Sequence, residues 1–132
     1  MRALALFALL VAIPARPALA AEIPAGPPLP HSAVSMIGIW RVGRDGEGAR
    51  TCLVKLAPAP VIGGYRVVLG KGCRRAIDQA GDLYAWRPGG TGEIVFAAPT
   101  RQAVLSFHRI AARTYATAGS DDDRYLMVKT GR

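Results

Sequence analysis

From residue 36 onward, apolar and polar positions alternate with a period of two, in short runs broken by glycine and proline. Gly38 to Val42 puts Trp40 and Val42 on one face. Cys52, Val54 and Leu56 alternate with Thr51, Leu53 and Lys55, and Tyr65, Val67 and Leu69 alternate with Arg66 and Val68. Leu83 to Arg87 sets Tyr84 and Trp86 on one side, and Glu93 to Ala97 follows as a further short run. Ala103 to Arg109 opposes Leu105 and Phe107 to Ser106 and His108, Thr114 to Ala118 centres on Tyr115, and Tyr125 to Lys129 opposes Leu126 and Val128 to Tyr125 and Met127. Each run is the pattern of a half-buried strand.

The interruptions carry turn chemistry. Asp45-Gly46, Pro88-Gly89-Gly90-Thr91-Gly92, Pro99 to Gln102 and Gly119 to Asp123 each read as a turn, because glycine tolerates positive φ and proline fixes it near −65°. Ala57-Pro58-Ala59-Pro60 and Gly63-Gly64 are expected to join the two strands that flank them. Arg74 to Gly81 is the one stretch suited to a helical turn, too short for the crossover that a parallel pair needs. The expected fold is therefore all-β, with eight antiparallel strands of about five residues. Up-and-down barrel and sandwich are both open to such a chain. Consecutive short hairpins favour the barrel, since closure removes both exposed edges. Trp40, Trp86 and Phe107 are its expected core.

The N-terminus changes the compartment. Arg2 precedes an apolar run from Ala3 to Ile13, and Ala18-Leu19-Ala20 is a small-x-small cleavage signal. Residues 1–20 read as a cleaved signal peptide; the apolar run is short of the roughly 20 residues that span a bilayer. The expected mature chain starts at Ala21, is soluble and periplasmic, and makes no stable membrane insertion. Residues 21–35 contain Pro24, Pro27, Pro28 and Pro30 and lack apolar periodicity, so an extended arm precedes a single domain over residues 36–132. Export also bears on the two cysteines, which in an oxidising compartment form one disulfide, Cys52–Cys73.

Removing Arg2 and Arg16 with the signal leaves 15 basic residues against nine acids, a net charge of +6. The cations are scattered, with neither a basic helix nor a basic-aromatic motif, which argues against nucleic acid as a partner. No nucleophile elbow surrounds Ser32, Ser35, Ser106 or Ser120. Gly70-Lys71-Gly72 lacks the spacing and the following hydroxyl of a phosphate loop. His31 and His108 stand apart and supply no zinc ligand set with the cysteines, and Asp121-Asp122-Asp123 lacks the spacing of a calcium loop. The sequence points to a monomeric, cofactor-free protein that is not an enzyme.

The order of these marks resembles a known family. Gly38-Ile39-Trp40 opens the domain and the Cys52-x-Val54-x-Leu56 strand follows. Cys73 then precedes a short helical turn, with Leu83-x-x-Trp86 and late strands carrying Val104, Phe107, Tyr115 and Leu126 after it. Over about residues 36–129 the chain resembles the Inh family of bacterial periplasmic inhibitors of serralysin-type zinc metalloproteases. The resemblance implies an eight-stranded antiparallel barrel with one disulfide. It also implies a mechanism, in which the N-terminal trunk of the mature inhibitor enters the protease cleft while the barrel covers its mouth. Carried onto this chain, that trunk begins Ala21, Glu22, Ile23, Pro24, Ala25. Proline stiffening lowers the entropy lost on binding, and an uncharged α-amino group is able to ligate zinc. Two other readings suit a small exported barrel: a lipocalin-like carrier of one small apolar ligand, and a cell-envelope barrel without inhibitory activity.

Overall fold

The computed structural model describes residues 29–120 and 123–131, together with Ala12 and Pro14. Eight strands form: β1 (Gly38–Arg44), β2 (Thr51–Val61), β3 (Gly64–Leu69), β4 (Ala85–Pro88), β5 (Ile94–Ala97), β6 (Ala103–Ala111), β7 (Thr114–Ala116) and β8 (Tyr125–Gly131). Each pairs with its neighbours in sequence and β1 pairs with β8, all antiparallel, which closes the barrel. Every strand therefore has a partner on both sides, and no long free edge is left for pairing with another chain.

Closure leaves an inside and an outside, and the period-two pattern sorts side chains between them. Cys52, Val54 and Leu56 are buried while Thr51, Leu53 and Lys55 are exposed. Trp40, Trp86, Phe96, Phe107, Leu56, Ile94 and Met127 fill the interior, each essentially inaccessible to solvent. Phe96 and Phe107 meet edge to face with ring centroids 5.5 Å apart, and Tyr65 lies 5.4 Å from Trp86, spacings that add to plain burial. On β8, Tyr125 and Met127 are the residues that face inward.

Three local expectations are corrected. β2 does not stop at Leu56 but runs through Ala57-Pro58-Ala59-Pro60 to Val61. Its pairing with β1 ends at Gly38–Leu56, and its pairing with β3 shifts between Leu56 and Pro60. The prolines thus sit at an irregularity with one flank unpaired, where no ladder donor is needed. Trp86 Nε1 donates to Ala57 O at 2.9 Å and satisfies a carbonyl there. Second, Tyr84 does not share a face with Trp86: β4 starts at Ala85, and Tyr84 lies exposed before it while Trp86 is buried. Third, the last residues of the stretch read as extended form a helical turn, α1 (His31–Val34), whose Ala33 is wholly buried. Periodicity has no purchase on four residues; packing makes this turn.

The connection between β3 and β4 contains α2 (Cys73–Ala76) and a 3-10 turn at Ala80–Asp82. Ile77, Ala80 and Leu83 from this segment are buried within the core cluster. The Cys52–Cys73 disulfide ties it to β2. Gly64 shows how tightly β3 meets β4: a Cβ there would lie 2.3 Å from Trp86 O, and its φ is +150°, a combination that only glycine accepts.

Candidate functional site

In an antiparallel barrel of consecutive strands, alternate connections lie at alternate ends. The β1–β2, β3–β4, β5–β6 and β7–β8 connections mark one end. The start of β1, the end of β8 and the β4–β5 and β6–β7 turns mark the other, the end at which α1 leads into β1. The β2–β3 tip leans across the outer wall, where Arg87 Nη1 donates to Gly63 O at 3.2 Å and to Arg101 O at 3.1 Å.

The root of the arm is fixed. Ala33 and Met36 are buried in the core cluster, and Trp40 Nε1 donates to Met36 O at 2.8 Å. Lys129 Nζ donates to Ser35 O at 2.5 Å and lies 5.9 Å from the centre of the Trp40 ring. Tyr115 meets the same indole edge to face at 5.5 Å.

Beside this root lies an open cleft of about 590 Å³, lined by Ser35, Trp40, Arg109, Arg113, Tyr115, Lys129 and Gly131. Of these seven described lining residues three are cationic and none is acidic. Arg113 Nη2 donates to Lys129 O at 3.2 Å, and Lys129 N donates to Arg113 O at 2.9 Å. Arg113 is one of two non-glycine residues with positive φ among the described residues, at 60°.

The opposite end is electrostatically different. Arg44 bonds Asp78 at 2.5 Å, and Arg124 bonds Asp45 at 2.7 Å. The hydrogen bond to Asp78, followed by the electrostatic interaction with Tyr125, raises the affinity of Arg44 for its proton above the ordinary arginine value. A guanidinium is already cationic at any working pH, so this marks a pairing and not a switch.

Of the residues singled out in the sequence, Ala21, Glu22, Ile23, Pro24 and Ala25 lie outside the described residues. Cys52 and Cys73 are bonded to one another on the side away from the arm root. Trp40, Trp86 and Phe107 are interior, and Trp40 also forms the floor of the arm root. His108 is exposed, with its Nδ1 4.0 Å from a Glu93 carboxylate oxygen. Among the described residues, no group of three or more His, Cys, Asp or Glu side chains is placed to hold a metal ion. The sequence reading missed Arg109, Arg113 and Lys129 as a group, because they lie on three segments; cations recurring at the arm-end termini of β6 and β8 were the available signal.

The model of the protease inhibitor family Inh matches residues 31–129, most of the chain, and the protein belongs to that family. The match begins at α1 and ends in β8, so it spans the barrel and the arm root. No curated protein matches the chain.

Proposed function

We propose that the mature protein is a periplasmic inhibitor of a secreted serralysin-type zinc metalloprotease, and that it acts by inserting the arm beginning Ala21-Glu22-Ile23-Pro24-Ala25 into the protease cleft. The observation that carries this is how the chain just before β1 is held: Ala33 of α1 and Met36 are buried in the core, Trp40 donates to Met36 O and Lys129 donates to Ser35 O. A segment that is to enter a cleft gains from a fixed origin, because less freedom is lost on binding. The four prolines between residues 21 and 30 act in the same direction. Belonging to a protease-inhibitor family supports a protease as partner. The filled interior weighs against the small-ligand carrier, which needs space that Trp40, Trp86, Phe96 and Phe107 occupy.

The test uses the oxidised protein starting at Ala21, titrated against a serralysin-type protease with a peptide substrate. Stoichiometric loss of cleavage is expected. A variant lacking Ala21–Ala25 is expected to keep the barrel's circular dichroism and lose inhibition. Full inhibition by that variant would overturn the arm mechanism, and absence of inhibition by the intact protein would overturn the choice of target.

A further inference from the structure

Charge is sorted along the barrel axis. Among the described residues, Asp45, Glu47, Asp78, Asp82 and Asp123 all stand in connections at the end away from the arm. There Asp78 and Asp45 form the pairs with Arg44 and Arg124 given above, and Asp123 acts electrostatically on Arg44. The arm end has a single described acid, Glu93. Its carboxylate accepts from the backbone amide of Thr91 at 3.1 Å and from the Thr91 hydroxyl, and it does not line the rim cleft. Arg109, Arg113 and Lys129 thus share one cleft in which, among the described residues, no carboxylate side chain takes part in the lining.

The three cations are held by backbone carbonyls. Arg109 Nε donates to Ala111 O at 3.4 Å, Arg113 Nη2 to Lys129 O, and Lys129 Nζ to Ser35 O. A guanidinium has five N–H donors in a planar fork, and these contacts engage one on each arginine. The remaining donors suit a carboxylate, which such a fork binds with two parallel hydrogen bonds. Arg113 carries its long side chain at a left-handed backbone position where glycine is the relaxed choice.

We propose that this rim is a second contact with the protease: Arg109, Arg113 and Lys129 receive a carboxylate-rich patch bordering the substrate cleft while the arm enters the cleft itself. The inference rests on the inhibitor reading above and adds to it the chemistry of the surface that the barrel covers. Rim charges of this kind act mainly on encounter, speeding association and making it sensitive to salt.

The experiment compares the mature protein with Arg109→Gln/Arg113→Gln and with a control of equal charge loss at the other end, Arg74→Gln/Arg75→Gln. Each is assayed for its inhibition constant and association rate against a serralysin-type protease, at low salt and at about 0.5 M salt, where the screening length falls to roughly 4 Å. The rim variant is expected to inhibit about tenfold more weakly at low salt, chiefly through slower association. High salt should remove most of the difference from the unaltered protein, and the control should match the unaltered protein throughout. Arg109→Glu/Arg113→Glu should be weaker still. Equal inhibition by the rim variant and the unaltered protein at low salt would overturn the rim contact and leave the arm mechanism standing. An equal loss in the control would reduce the effect to net charge and also overturn it. Absence of inhibition by the unaltered protein would overturn both readings together.

Discussion

Trp40 is both a core residue and the donor that holds the segment just before β1, and replacing it with phenylalanine separates these two roles. The ring of Trp40 is 2% exposed, its N–H is bonded to Met36 O at 2.8 Å, and Tyr115 packs against it at 5.5 Å. Trp40→Phe keeps an aromatic ring but removes the donor, leaving the Met36 carbonyl without that partner at a buried site, at a cost of about 1–3 kcal/mol. The smaller ring also gives up packing, worth roughly another 1 kcal/mol. We expect a loss of about 2–4 kcal/mol in urea unfolding, with the denaturant slope unchanged. The same substitution at Trp86 removes the bond to Ala57 O at 2.9 Å and should cost a comparable amount. Hydrogen exchange then tells the two apart. The amides of Met36 and Ile37 donate to Ala33 O at 2.9 Å and Val34 O at 3.2 Å; they should lose protection in Trp40→Phe beyond what the global destabilisation explains, and not in Trp86→Phe. A loss below 0.5 kcal/mol with both amides still protected would refute the view that the indole holds the arm root.

Two further outcomes follow from the structure. Arg113→Gly relieves a left-handed backbone and gives up one exposed hydrogen bond; stability should hold or rise by up to about 1 kcal/mol, while inhibition weakens. Thermal unfolding that shows a loss above about 1 kcal/mol would refute the strain. Replacing Cys52 and Cys73 with serine removes a bridge across a sequence separation of 21 and should cost about 3 kcal/mol in urea unfolding. Because the bridge lies away from the arm root, the inhibition constant should stay the same wherever the variant is folded. A weaker constant without unfolding would show that the disulfide end takes part in binding.

The strands were legible where burial alone decides the pattern. Cys52–Leu56 and Gly38–Val42 alternate because one face meets the interior and the other meets water, and both appear in the structure as read. The prolines of β2 misled because proline is a local signal, whereas the vacancy that admits it is set by where β1 ends. The α1 turn was hidden for the same reason: nothing within His31–Val34 requires a helix, and its support comes from the core around Ala33 and from Trp40. Arg109 and Lys129 are separated in sequence by the whole of β7 and its turns. Barrel register brings them together, through Arg109 opposite Tyr115 and Tyr115 opposite Met127. A site of this kind exists only after the strands are paired, so charge along the chain looks scattered while charge on the barrel is sorted.

A filled barrel has few places at which to act. Its wall is hydrogen-bonded all round, and its interior is occupied by aromatic and aliphatic side chains. Recognition is thereby moved to the ends. The end bearing the disulfide is covered by the α2 segment, with Ile77 and Ala80 buried, and its acids neighbour cations. The other end carries the arm root and an open, cationic cleft side by side. Lys129 belongs to both: its ammonium bonds the root at Ser35, and its carbonyl accepts from Arg113. A charge drawn to a partner at the rim would therefore bear directly on the residue that bonds Ser35, just after α1. Coupling between the two contacts is measurable as a double-mutant cycle between the arm deletion and Arg109→Gln/Arg113→Gln. Independent contacts would give additive losses in binding, and an interaction energy above about 0.5 kcal/mol would show that rim and arm act as one surface.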